Sequence, residues 1–89
     1  MAIYPQALML VKTACLDYRS KKIDIEQLQY TLMAAADLIV AREEKQLRGF
    51  LENSEGELDL LRFTVDQESL FEKSLKVVRE IENYIEKWE

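Results

Sequence analysis

Only three residues of this 89-residue chain are built to interrupt a helix: Pro5, Gly49 and Gly56. So little turn material argues for few, long elements, and long elements in a chain of this size are helices. The apolar fraction of 48% is that of a globular protein rather than a disordered tail. Residues 1–89 therefore read as one helical domain. A domain this small hides only about 60–65% of its extended surface on folding, so it needs near-ideal packing, a staple or a partner.

The helix starts are well marked. Pro5 suits the first turn, where its missing N–H leaves nothing unpaired, and Ile3 and Leu8 sit at hydrophobic-staple spacing. Leu8, Val11, Cys15 and Tyr18 then fall on one face. "RSKKID" ends that helix, its bases suiting the negative end of the dipole. Asp24 and Gln27 have capping-box spacing, with Ile23 and Leu28 as staple. The second helix buries Ile25, Leu28, Leu32, Ala35 and Ile39, and Ala34–Ala36 allow close approach of a neighbour. No Gly or Pro lies between Asp24 and Gly49. A single helix of about 28 residues would span roughly 42 Å, long for this chain, so a bend or break is expected near Arg42–Glu44. The final helix is expected from Asp66, with Val65 and Leu70 as staple. Leu70, Phe71, Leu75, Val78, Ile81, Ile85 and Trp88 recur along it at threes and fours. The fold class expected is all-α: a compact bundle of four to five helices with a long C-terminal helix.

Charge is unevenly distributed. "ENSEGELDLLRFTVDQESLFE", residues 52–72, holds seven of the 17 acids and only Arg62 among the 12 bases, a net charge of −6. The remaining ten acids and eleven bases nearly cancel, leaving the chain at −5. "ENSEG" reads as a turn, with Ser54 and Glu57 at capping-box spacing and a short helix over 55–63. "LDLLRFTV" is alternatively a strand, though no second strand is visible to pair with it.

Several kinds of chemistry are excluded. Without histidine there is no Ser-His or Cys-His triad, no Glu-x-x-His di-iron motif and no credible zinc ligand set. A calcium loop with Gly56 at its sixth position would place Leu51 first and Arg62 twelfth, where acidic donors belong. No loop cradles phosphate. Cys15, the lone cysteine, allows no internal disulfide and fits a reducing cytoplasm; on an apolar stripe it reads as a buried, inert thiol. "ALMLV" is cut off by Lys12 with no basic region before it, so it is not read as a signal peptide, and the longest charge-free interior run is too short for a membrane span. An acidic chain repels nucleic acid. No catalytic, cofactor-binding or metal-ligating residue is expected, and no cofactor; an enzyme is not expected.

Binding remains. Glu52, Glu55, Glu57, Asp59, Asp66, Glu68 and Glu72 are the candidate partner-binding residues. Helix dipoles account for some of them, Asp66, Glu68 and Glu57 among them. They do not account for the near absence of bases, which costs self-repulsion unless a cationic surface arrives. Phe50, Phe63 and Phe71 are read first as core residues and second as anchors.

The layout adds a resemblance. A helix ends in a short basic loop carrying an aliphatic residue, "SKKIDIEQL", with a K-I-x-x-x-x-L turn at Lys22–Leu28. An acidic region and a long final helix follow. This resembles the small helical immunity proteins of colicin D-like and contact-dependent growth-inhibition toxins. The resemblance implies an acidic, cytoplasmic bacterial protein that binds a basic nuclease toxin and occludes its active cleft. The alternative is a helical adaptor acting through apolar surface as a homodimer, with Val77, Tyr84 and Trp88 widening the last helix's stripe.

Overall fold

The computed structural model describes residues 4–40 and 44–88. Among them are four helices and no strand: α1 (Pro5–Arg19), α2 (Ile25–Leu38), α3 (Lys45–Thr64) and α4 (Gln67–Glu86). Each helix packs on two others, α1 and α3 both lying against α2 and α4. The cross-contacts show that neighbours run antiparallel. The Val40 N–H donates to the Tyr4 hydroxyl, joining the start of α1 to the end of α2. Glu26 meets Arg62 across α2 and α3, and Phe50 stacks on Tyr84 at 3.8 Å across α3 and α4. The result is an up-down-up-down bundle, as short connections favour.

The starts form as their sequences dictate. Asp24 accepts from the Gln27 N–H at 2.8 Å while the Gln27 side chain accepts from the Asp24 N–H at 3.0 Å, a complete capping box. Asp66 caps α4 by accepting from the Ser69 N–H. Ile3, the staple partner assigned to Leu8, lies outside the described residues. The end of α1 is a Schellman turn: Lys21 N–H bonds Tyr18 C=O and Lys22 N–H bonds Asp17 C=O. Lys21 takes the left-handed position usually given to glycine, at φ 62°, and its ammonium sits 4.8 Å from the Phe71 ring centroid. That cation–π contact offsets part of the backbone cost.

The expected stripes face the core, with Ile25, Leu70, Phe71, Leu75 and Trp88 only partly buried. Val11, Cys15, Leu28, Leu32, Val78 and Ile81 are all fully enclosed, and Ala35 and Ala36 let α2 sit close to its neighbours. Tyr18 and Ser74 share a buried hydrogen bond of 2.6 Å. The Ser74 hydroxyl also donates to the Phe71 carbonyl, so Tyr18 must be the donor to Ser74 Oγ. The apolar residues assigned to a wide α4 stripe are occupied at home. Val77 is buried, Tyr84 stacks on Phe50, and Trp88 tilts against Tyr84.

Two expectations are corrected in α3. "ENSEG" is no turn, and 57–65 is neither a separate short helix nor a strand: α3 runs unbroken from Lys45 to Thr64. Leu47, Leu51, Ser54 and Leu58 recur at fours and threes and are buried. Their burial outweighs the roughly 1 kcal/mol that an interior glycine costs a helix. Ser54 is enclosed rather than capping. Gly56 is exposed, its φ is not positive, and a Cβ built there meets nothing within 4 Å. Gly56→Ala is therefore expected to raise the unfolding free energy by about 0.5–1 kcal/mol, read from a denaturant titration; a turn glycine in a left-handed conformation would give a loss. α3 is 20 residues long, the same as α4, so the C-terminal helix is long but not singularly so.

The expected break between α2 and α3 is present. α2 stops at Leu38, and Ile39 turns extended while staying buried. Of the expected Arg42–Glu44 bend, Arg42 and Glu43 lie outside the described residues, and Glu44 is the N-cap of α3. α2 has no base in its last turn; Arg48 of α3 supplies one, donating to the Ile39 carbonyl at 3.3 Å.

Candidate functional site

α2 positions the site. Its capping box fixes the helix register, and Glu26, Tyr30 and Met33 then follow at spacings of four and three along its outer side. Tyr30 stands on the crest, 77% exposed. On one side of it, α1 and α2 border an open groove of about 640 Å³. Leu10, Ala14 and Ile23 supply its apolar surface, Asp17, Asp24 and Glu26 its charge; no Lys or Arg lines it.

On the other side α2 meets α3 in a polar seam. Antiparallel packing brings Gln29, only 6% exposed, against the α3 stripe of Glu55, Asp59 and Arg62. Gln29 Nε2 donates to Glu55 Oε2 at 2.8 Å and to Asp59 Oδ1 at 3.3 Å. Its Oε1 accepts from Arg62 Nη1 at 3.0 Å. Arg62 Nη2 reaches Glu26 Oε1 at 3.1 Å. Only one orientation of the Gln29 amide satisfies donors and acceptor together, so the network fixes the side chain. The seam holds three carboxylates and one guanidinium, which pairs with Glu26 and Asp59, so an anionic excess remains beside Tyr30 and Met33, which line the same shallow groove of about 350 Å³.

The seven carboxylates singled out from the sequence do not form one surface. Glu52, Glu55 and Asp59 share the α2-facing side of α3. Glu52 pairs with Arg48 at 3.7 Å, an exposed contact that contributes little. Glu57 is on the other flank, in the groove between α3 and α4, with Lys73 and Lys76. Asp66 is occupied as the α4 cap, and Glu68 and Glu72 project from exposed positions on α4. Sequence reasoning missed Asp17, Asp24, Glu26 and Tyr30 as members of a site. One signal was present: no base occurs between Lys22 and Arg42, so α2 is anionic throughout. Arg62, first read as the lone compensating base of the acidic stretch, is instead the hub of the seam.

Among the described residues no group of three or more potential metal ligands converges, and no helix is long and apolar enough to cross a membrane. Cys15 is fully buried, and its thiol is pushed up from 9.0 to about 12, first by burial, then by the Glu82 charge, with Arg19 acting in the opposite sense. A thiol with a folded pKa above its unfolded value stabilises the fold below pH 9, and that contribution is lost as pH rises from 9 towards 12. Two results are expected: iodoacetamide labels Cys15 at pH 8 only on unfolding, and wild type loses stability relative to Cys15→Ala across that alkaline window. Rapid labelling of the native chain would contradict the buried placement.

Compared with known proteins, this chain matches no family model, no curated protein and no solved structure.

Proposed function

We propose that this chain is a non-catalytic binding protein that docks on a basic protein through the α1–α2–α3 face around Tyr30. The observation that carries the reading is the charge of that face. The α1–α2 groove is lined by Asp17, Asp24 and Glu26 and by no base; Asp24 also caps α2 and Glu26 also pairs with Arg62, and the anionic excess continues past that one base into Glu55 and Asp59. An exposed tyrosine at its centre is the kind of side chain that anchors an interface. The mechanism is occlusion: carboxylates occupy positions where a nucleic-acid-binding partner would otherwise hold phosphates. Its specific form is immunity against a basic nuclease toxin, which the helical layout and the "SKKIDIEQL" turn support by resemblance. A bacterial, cytoplasmic setting belongs to the same reading.

The test is capture with the full chain as bait, followed by kinetics on the purified partner. A basic nuclease inhibited at one-to-one stoichiometry, with an association rate falling steeply with salt, is the expected result. Tyr30→Ala is expected to weaken binding by about tenfold or more. Asp17→Asn combined with Glu26→Gln is expected to slow association, whereas Glu68→Gln with Glu72→Gln leaves it unchanged. Binding indifferent to Tyr30 and to the α2 carboxylates sinks the proposal.

A further inference from the structure

The α1–α4 flank carries a different pattern. Met9 and Leu16 are 63% and 53% exposed, although they lie seven residues apart on one side of a helix whose opposite side is core. Each is followed three residues later by a base, giving the repeated pairs Met9–Lys12 and Leu16–Arg19. With Thr13 these side chains border an open groove of about 380 Å³ whose α4 wall is Glu82 and Glu86. One wall of the groove is therefore basic and the other acidic, with apolar side chains exposed along it. Arg19 Nη2 lies 2.9 Å from Glu82 Oε2, which shows that the two walls match in height.

We propose that this flank binds a second copy of the chain, α1 of each copy packing over α4 of the other. The charge pattern selects that occupant. A uniformly basic or uniformly acidic partner would be repelled by one wall. A copy related by a twofold axis parallel to the helices lays each basic wall over an acidic one. Lys12 then lies beside the partner subunit's Glu86, Arg19 and Glu82 keep the pair they make within each copy, and Leu16 and Met9 lose water near the axis. The four helices at the seam alternate in direction, the arrangement that antiparallel bundles use. A long face of a body measuring 39 × 22 × 18 Å offers on the order of 800 Å², the area that a stable interface takes from each partner. The groove beside Tyr30 flanks α1 on its α2 side and shares only Thr13 with this one, so the dimer leaves the Tyr30 face proposed above uncovered.

Sedimentation velocity of the full chain, from low micromolar to millimolar concentration, is the first measurement; a reversible dimer is expected. Leu16→Ala, at a solvent-exposed position, is expected to weaken it by about tenfold with an unchanged circular dichroism spectrum. Charge reversal then distinguishes this geometry from any other. Lys12→Glu sets like charges against the partner subunit's Glu86 at both contacts of a homodimer, and Glu86→Lys does the same against the partner subunit's Lys12. Each variant alone is expected to dimerise at least about tenfold more weakly. Mixing the two pairs opposite charges at both contacts and is expected to restore a mixed dimer of near wild-type strength. A chain that stays monomeric up to millimolar concentration, or variants whose mixture dimerises no better than either alone, would overturn the proposal.

Discussion

Leu58→Ala is expected to lower the unfolding free energy by about 2–5 kcal/mol, whereas Leu60→Ala, two residues along, is expected to change it by no more than about 0.5 kcal/mol. Leu58 is 0% exposed within the bundle and Leu60 is 62% exposed. Two residues of α-helix rotate a side chain by about 200°, so the pair faces opposite directions. In a strand the same spacing returns to one face, and the two substitutions would cost alike. The contrast thus tests the α3 assignment as well as the energetics. A typical domain holds only about 5–15 kcal/mol in total, so Leu58→Ala brings the chain close to unfolding at room temperature. Guanidinium titration followed by circular dichroism reads both values. Equal losses would mean that 57–65 is not the helix described.

Gln29→Glu is expected to be the most damaging change that keeps size and shape, at about 2–4 kcal/mol near neutral pH. The substitution removes the two N–H donors that hold Glu55 and Asp59 and puts a third carboxylate between them. Arg62 can still pair with the new group, which keeps the loss below that of an isolated buried charge. The pH dependence has a definite sign. Like charges and partial burial raise the folded pKa of the introduced carboxyl above its unfolded value. A raised carboxyl binds its proton more tightly in the folded state, so the deficit relative to wild type shrinks as pH falls towards 4 and reopens as pH rises. Gln29→Leu, which adds no charge, is expected to show a smaller deficit with no such recovery. Stability curves of the three proteins at several pH values decide it, and a pH-independent deficit for Gln29→Glu would argue against the seam.

The helix starts were legible because they rest on local chemistry. Asp24–Gln27 and Asp66 satisfy backbone N–H groups within three residues, and no distant residue has to cooperate. The stripes of α1, α2 and α4 were legible for a related reason, since their apolar residues recur without interruption. In α3 the local signals pointed the wrong way. Gly56 and Asn53 look like a turn when read alone, and Ser54 looks like a cap. The stripe of Leu47, Leu51, Ser54 and Leu58 prevails because α2 and α4 bury it from both sides, an energy that no local propensity contains. Phe63, expected in the core, is exposed; nothing in the structure explains its exposure.

The site divides the same way. Composition and order alone determined that the chain is helical, carries net negative charge and lacks the histidine and cysteine sets of most metal and triad chemistry. They also located the greatest local excess of carboxylates. Which of those carboxylates are neighbours was a matter for tertiary structure. Helical rotation sends Glu57 to the α4 side of α3 while Glu55 and Asp59 turn towards α2, and antiparallel packing then joins these two to Gln29, Glu26 and Arg62. Proximity in sequence fixes charge density along the chain, but a helix spreads consecutive residues around its axis, and only the packing of its neighbours decides which of them share a surface.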